Sequence, residues 1–177
     1  MKKIMMVYDQ IQAGAGTKDD KMVPLKATKE PIGPALMMDR FLKANDEKII
    51  ACVYCGNGTY LANPDEIVRK ITALALKLKP DAVICCPCHN YLDYAGMAAA
   101  VCESINTKTD IPALSEMSIE CAPVIEKYAK KIPIVKGPKK GGIGLNEALE
   151  NMCKLAAAMA DHDENAVKAI EAAACYE

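Results

Sequence analysis

The stretch of sequence that decides the fold is residues 49–86, IIACVYCGNGTYLANPDEIVRKITALALKLKPDAVICC. It opens and closes on short apolar runs, residues 49–53 and 82–86, in which apolar side chains follow one another without alternation. Such runs are typical of strands that are covered on both faces, as in a parallel sheet. Between them, Pro64 and the two carboxylates that follow it begin a helical pattern, which ends at Lys79 and Pro80. The stretch therefore predicts a strand–helix–strand unit.

The same alternation of strands and helices continues on both sides of this stretch. Further strands are predicted at residues 4–7, 111–114 and 132–135, and further helices at residues 33–44, 97–105 and 146–160. We therefore predict one α/β domain over residues 1–177, with an open, mostly parallel sheet of about five strands and helices on both faces, a Rossmann-like or flavodoxin-like three-layer arrangement. Residues 10–30 are expected to form a long loop, and residues 161–177 a C-terminal tail or helix.

The composition argues against several classes of function. The chain carries 22 Lys and Arg against 23 Asp and Glu, which leaves no basic surface for nucleic acid or anionic lipid. One Phe and no Trp argue against an aromatic base-stacking platform. No apolar run reaches the ~18 residues of a membrane span. The nine cysteines are an odd number and the start has no signal-peptide pattern, so we expect reduced thiols and a cytoplasmic protein.

Two clusters of cysteines follow the second and third predicted strands. The first cluster is Cys52 and Cys55, and the second is Cys85, Cys86, Cys88 and His89. Because ligands bind at the carboxyl ends of the strands in an open parallel sheet, both clusters are expected at one edge. One hypothesis is a thiol redox site with Cys55 and Cys88 as catalytic residues. A second is a zinc or iron–sulfur site, for which the candidate ligands are Cys52, Cys55, Cys86, Cys88 and His89. A third is that several of these cysteines are small core residues.

Two other features fall on the same predicted edge. Glu116 follows the fourth strand, where it could act as a general base or as the counter-charge of a substrate amine, or simply be an exposed carboxylate. Residues 136–144, KGPKKGGIG, lead into the last long helix and could approach an anion through backbone amides. Their spacing matches neither the P-loop nor the dinucleotide fingerprint, so a flexible connection is the plainer interpretation.

Taken together, these residues resemble a known family. The matching positions are residues 33–35, residues 55–57, Pro87 with Tyr94, and residues 115–117. In this order and spacing, from about residue 31 to residue 160, the chain resembles the N-terminal region of the large selenoprotein subunit of component B of the glycine, sarcosine and betaine reductases of anaerobic bacteria.

The resemblance implies a function. Component B binds a small amine substrate beside a pyruvoyl-carrying partner and passes a carboxymethyl group to a selenoprotein of component A, in a reductive C–N cleavage. Carried onto this chain, the site would be lined by Cys55, Asn57, Pro87, Tyr94 and Met117. The chain departs from the family where Cys85, Cys86, Cys88 and His89 replace Ala, Gly, Ala and Phe, and where Asp93 replaces Arg. The selenocysteine of the family lies beyond this chain, so we expect the catalytic half to be absent or encoded separately.

We therefore carry two principal hypotheses forward. The first is a subunit or stand-alone relative of a component B reductase, an oxidoreductase that binds a small amine substrate at the carboxyl edge with Cys55, Cys88 and Glu116 as catalytic candidates. Its partners would be a pyruvoyl-type subunit or a selenoprotein, with a homo-oligomer as an open option. The alternative is a cytoplasmic zinc or iron–sulfur protein that uses the two cysteine clusters. In either case no nucleic acid or membrane partner is expected.

Overall fold

A computed structural model describes all residues of the chain, 1–177. Six strands form a single sheet in the order β2-β3-β1-β4-β5-β6. The strands are β1 (Lys2–Asp9), β2 (Lys26–Thr28), β3 (Glu47–Cys55), β4 (Ala82–Cys85), β5 (Ala113–Met117) and β6 (Ile134–Lys136). The helices are α1 (Pro34–Ala44), α2 (Asn57–Ala62), α3 (Pro64–Leu78), α4 (Leu92–Lys108), α5 (Ala122–Tyr128), α6 (Leu145–Ala160) and α7 (Glu164–Ala174), with a 3₁₀ turn at Ile119–Cys121.

The sheet is parallel except for β2, which pairs antiparallel with β3 at the edge. Without β2, the strand order is that of flavodoxin-like domains. The connection after β1 runs to one side of it and the connection after β3 runs to the other side, so β1 lies at the topological switch point. In sheets of this kind, ligands bind outside the carboxyl ends of the strands at that point. The topology thus selects the carboxyl ends of β1, β3 and β4 as the first place to look for a site.

Helices cover both faces of the sheet, which explains the apolar runs in the sequence. Helices α1 and α6 pack together on one face, with α7 against α6, while α3, α4 and α5 pack on the other. All four residues of β4 and six consecutive residues of β1 are buried, because these central strands have helices above and below. The predicted three-layer α/β architecture is therefore confirmed.

The structure refines the predicted elements in three places. The predicted loop at residues 10–30 contains the short edge strand β2, whose three residues carry too little pattern to stand out. The tail after Asp161 forms α7, which begins where the side chain of Asp163 accepts a hydrogen bond from the backbone N–H of Ala166. The fourth and fifth strands lie about two residues later than their apolar runs, at β5 and β6. None of the helices is both long and apolar enough to cross a membrane.

Candidate functional site

A crevice lies at the switch point, where β1, β3 and β4 end. Its volume is about 430 Å³. The lining residues are Ile11, Lys18, Asp19, Lys21, Asn57, Asn90, Tyr91, Leu92 and Asp93. They come from the loop after β1, from the start of α2, and from the connection between β4 and α4. Chain segments that are distant in sequence therefore meet at the position where the fold places ligands.

Asn57 connects this crevice to a buried polar cluster. Asp9 pairs with Cys55 in the parallel ladder, so β1 and β3 end level and bring Asn57 next to Asp9. The Asn57 side-chain amide donates to Asp9 Oδ2 over 3.4 Å, and its backbone N–H donates to Gln10 Oε1 over 3.0 Å. Asp9 Oδ1 in turn accepts from the backbone N–H of Gln12. Burial raises the pKa of Asp9, and these hydrogen bonds partly oppose that effect.

The cluster leaves one hydrogen-bond acceptor free. Asn57 is only 6% exposed, and its side-chain oxygen Oδ1 has no hydrogen-bond partner. Its amide nitrogen is committed to Asp9, which fixes the orientation of the side chain. A buried polar atom without a partner costs roughly 1–3 kcal/mol, so such atoms are uncommon in folded proteins. Because Asn57 lines the crevice, this unpaired oxygen lies beneath the crevice surface.

Positive groups also line the crevice. Helix α4 is 17 residues long, and its N-cap residue, Tyr91, provides no side-chain cap. The backbone N–H groups of the first turn therefore have no partner within the helix, and they carry the positive end of the helix dipole. Lys18 and Lys21 add two cationic side chains. Asp19 and Asp93 line the crevice as well, so the start of α4 is the main feature that could attract an anionic group such as a carboxylate.

The second chemical feature of the carboxyl edge is a pair formed by Glu116 and His89. Glu116, in β5, is fully buried, and neither of its carboxylate oxygens has a hydrogen-bond partner. Oε2 lies 3.5 Å from Nδ1 of His89, whose side chain is 22% exposed. His89 adopts a left-handed backbone conformation with φ 51°, and its carbonyl oxygen accepts from the backbone N–H of Ser118. The imidazole thus lies between a buried carboxylate and the surface.

Glu116 is packed tightly by Gly137, from the predicted flexible stretch 136–144, and lies near Tyr176, which sequence analysis did not select. Gly137 follows β6, and a β-carbon at this position would overlap Glu116 Oε1, so only glycine fits beside the carboxylate without a shift. Tyr176 donates from its hydroxyl group to the carbonyl oxygen of Met117 over 3.1 Å. Burial and the charge of Glu116 raise the pKa of Tyr176 to about 12. The C-terminal residues therefore help to enclose the Glu116 carboxylate.

The predicted catalytic cysteines are buried and held as neutral thiols. Cys55 is fully buried, and its Sγ lies 3.5 Å from the sulfur of Met97. Burial, together with the charge of Asp9, raises the pKa of Cys55 to about 12. Cys88 is also fully buried, against Ser115 and the carbonyl oxygen of Cys85, and burial raises its pKa well above the usual value. This geometry gives no support to a nucleophilic thiolate at either position.

The candidate metal ligands are not brought together. Cys52 and Cys86 are fully buried, and Cys86 Sγ packs against the sulfur of Met152. No group of three or more His, Cys, Asp or Glu side chains is arranged to hold a metal ion. A structural zinc site needs four ligands in tetrahedral geometry, and iron–sulfur clusters need several thiolates in reach. The geometry therefore does not favour the zinc or iron–sulfur hypothesis. All nine cysteines are free and buried, as small core residues are.

The remaining predicted substrate-binding residues are part of the packed interior. Tyr94 is fully buried, and its hydroxyl group donates to the carbonyl oxygen of Val7 in β1. Pro87 is buried and follows Cys86 through a cis peptide bond. Met117 is fully buried in β5. Of the four predicted substrate-binding residues, only Asn57 lines the crevice.

Two residues that sequence analysis did not select are Asp9 and Gln10, which anchor Asn57. Both are fully buried, although polar residues that follow an apolar strand are usually exposed. A signal was available, because Asp9 and Gln10 end the first strand of a parallel sheet, where ligands are bound.

Comparison with known proteins places this architecture in a family. The family model described as "Glycine/sarcosine/betaine reductase selenoprotein B (GRDB)" matches residues 1–174. The chain is 29% identical, over 144 residues, to a glycine reductase complex component B subunit gamma of Carboxydothermus hydrogenoformans, a match that covers 81% of this chain and 32% of the relative. It is 25% identical, over 138 residues, to a sarcosine reductase complex component B subunit beta of Peptoclostridium acidaminophilum, covering 77% of this chain and 31% of the relative.

A longer alignment leads to the same assignment. A glycine reductase complex component B subunit gamma of Peptoclostridium acidaminophilum is 27% identical over 169 residues, which are 93% of this chain and 37% of the relative. The chain spans about a third of the length of these curated relatives. Because the family model matches residues 1–174, which is nearly the whole chain, the chain belongs to the glycine/sarcosine/betaine reductase selenoprotein B family.

Proposed function

We propose that this protein is a component B-type reductase subunit that binds a small amine substrate with a carboxylate group in the crevice at the switch point. Family membership supports the reductase assignment, and relatives are named as glycine or sarcosine reductase component B subunits. One observation supports this position for the ligand: Asn57 lines the crevice, and its oxygen Oδ1 is a buried acceptor without a hydrogen-bond partner. The reaction would be the reductive C–N cleavage that the family performs.

In this proposal, Asn57 and the start of α4 recognise the two ends of the ligand. An N–H group of the ligand donates to Asn57 Oδ1, with the carboxyl group of Asp9 behind it. The ligand carboxylate accepts from the free N–H groups at the start of α4 and pairs with Lys18 or Lys21. This arrangement could replace the Arg that the family has at the position of Asp93, because a helix N-terminus also binds carboxylates.

We also propose that Glu116 and His89 act together as the general base, with the imidazole as the proton acceptor at the surface. An amine must lose a proton before it can react with a carbonyl group, and a positioned carboxylate or imidazole can accept that proton. Glu116 is too deeply buried to meet a ligand directly, whereas His89 is partly exposed. His89 directly precedes Asn90, which lines the crevice, so the imidazole would accept the proton there and the carboxylate would stabilise the resulting positive charge.

A pyruvoyl-type subunit or a selenoprotein would complete the reaction. The chain covers about a third of its relatives, and none of its nine cysteines is exposed to act as a redox group. The electrons and the carbonyl group would then come from polypeptide outside residues 1–177. We place this assembly in the cytoplasm, in keeping with the free cysteines.

Calorimetric titration of the purified chain with glycine tests the proposal. We expect saturable binding to the wild type and at least a tenfold loss of affinity for Asn57→Ala. The matched control is Asn63→Ala, because Asn63 is exposed and its side chain makes no cap hydrogen bond. Equal affinity of Asn57→Ala and the wild type would place the ligand elsewhere, and no binding of glycine or sarcosine to the wild type would contradict the proposal.

A further inference from the structure

The loops at the carboxyl edge carry an unusual set of exposed apolar side chains. Each of the five parallel strands is followed by at least one large apolar residue that is exposed to solvent. These residues are Met22, Leu61, Tyr91, Leu92, Ile119 and Ile143. Single exposed apolar residues are common on protein surfaces, but their recurrence in every loop of one edge indicates an interaction surface. We call these six residues the edge surface.

The edge surface is held in place by the structure. Met22 packs against α2, because its sulfur lies close to Gly58, and α2 also carries Leu61. The loop that carries Ile143 is tied to the 3₁₀ turn that carries Ile119, through a hydrogen bond of 2.7 Å from the backbone N–H of Lys140 to Glu120. Tyr91 and Leu92 line the crevice and are partly exposed. A partner bound here would cover the crevice.

Charge adds a second property to this surface. Residues 136–144, at one side of the edge surface, contain three lysines and no acidic residue. Lys139 and Lys140 are exposed, and Ile143 is 97% exposed. A complementary surface would therefore be apolar at its centre and acidic where it meets these lysines.

The charge of the surface and the family of the chain indicate what occupies it. The relatives are complex subunits by name. A lysine-bearing apolar surface is suited to a protein partner with an acidic rim. We propose that the edge surface docks a partner subunit of the reductase complex, which covers the crevice with an apolar and acidic contact surface. This inference rests on the proposed function and adds to it the face and the chemistry of the contact.

Site-specific photocrosslinking identifies the occupant. p-Benzoylphenylalanine is placed at Ile119 or Ile143, and as a control at Leu76, which is 51% exposed near the end of α3 and lies far from the edge surface. The variants are produced in the cells that contain the protein, and the products are identified by mass spectrometry. We expect one and the same reductase subunit from both edge positions and none from Leu76.

The affinity of variants of this chain for the captured subunit then tests the contact. Ile143→Asp should weaken the affinity for the subunit at least tenfold, and Leu76→Asp should leave it unchanged. Lys139→Glu should also weaken the affinity, and the loss should be larger in low salt than in high salt. The inference would be overturned by capture of a second copy of this chain or of lipid, by equal capture from Leu76, or by no capture at all. Wild-type affinity of Ile143→Asp would also overturn it. Glycine titration of the isolated chain is a separate readout, so a failure of the crevice proposal is distinguishable from a failure of the docking proposal.

Discussion

Oε2 of Glu116 lies 3.5 Å from Nδ1 of His89, and neither oxygen of this fully buried carboxylate accepts a hydrogen bond. A carboxylate in this position is costly, because burial disfavours its charge and no donor compensates for the lost water. The nearby imidazole offers the opposite charge when it is protonated. A buried ionisable pair of this kind contributes little to stability, which is consistent with a chemical role.

The tight fit around this carboxylate predicts a coupling between Gly137 and Glu116. Gly137→Ala should destabilise the wild type by about 1–3 kcal/mol, because the new methyl group must displace Glu116. In a Glu116→Ala background the same change should cost nearly nothing or stabilise slightly, because the space is free and alanine restricts the unfolded chain. Urea denaturation of the four variants measures the coupling.

A helical glycine provides the control for this cycle. Gly96 lies in α4 with no heavy atom near the position of its β-carbon, so Gly96→Ala should stabilise the protein by about 0.5–1 kcal/mol. Strictly additive effects of Gly137→Ala and Glu116→Ala would contradict the close contact.

The cysteines are predicted to react slowly in the folded protein. Burial raises the pKa of Cys55 and Cys175 to about 12 and that of Cys121 to about 11, so few thiolates exist near pH 7.5. Labelling with dithionitrobenzoate should show no fast phase in native buffer and nine thiols after denaturation. A fast stoichiometric phase that disappears in Cys55→Ser or Cys88→Ser would restore the thiol redox hypothesis.

The buried carboxyl group of Glu47 is expected to make the protein less stable as the pH rises from about 5 to about 8. Its carboxyl group is buried at the start of β3 without a hydrogen-bond partner, and burial raises its pKa to about 8. In this range the unfolded chain has released the proton and the folded chain still holds it, so rising pH favours unfolding. The loss should be on the order of a few kcal/mol and should level off above pH 8.

Replacing Glu47 isolates this effect. Denaturation at several pH values should show a flatter profile for Glu47→Gln than for the wild type. Glu126→Gln is the matched control, because Glu126 is exposed and forms no ion pair. Parallel profiles of the wild type and Glu47→Gln would show that Glu47 is already ionised in the folded protein at neutral pH.

The free oxygen of Asn57 predicts a preference among the ligands of the family. Glycine and sarcosine carry N–H donors at neutral pH, whereas betaine has a quaternary nitrogen without any. An unpaired acceptor therefore favours glycine and sarcosine over betaine, by about tenfold or more if one hydrogen bond to a charged group is lost. Competition calorimetry measures the ratio. Tighter binding of betaine would rule out Asn57 Oδ1 as the amine contact.

The sequence predicted those parts of the fold that depend on local pattern. The buried runs around Cys52 and Ile84 and the helix start at Pro64 are visible in any short window, and the three-layer sheet follows from them. β2 was missed because three residues at an edge, such as Lys26–Thr28, gain their pairing only from β3.

The site was harder to predict than the fold. The sequence selected Asn57, His89 and Glu116, but it could not show which cysteines are covered by helices. The contact between His89 and Glu116 depends on the register of β4 against β5, and the contact between Gly137 and Glu116 depends on β6. Such contacts between strands leave no mark on local periodicity, so they become visible only in three dimensions.

The location of the ligand is the central claim, and nuclear magnetic resonance tests it most directly. Glycine is titrated into the ¹⁵N-labelled chain while side-chain and backbone amide resonances are followed. We predict that the largest shifts occur at the side-chain amide of Asn57 and at the backbone amides of Leu92 and Asp93, at the start of α4. Shifts confined to the separate cavity of about 460 Å³ near Pro133 and Tyr176, or no shifts with saturating glycine, would contradict the account.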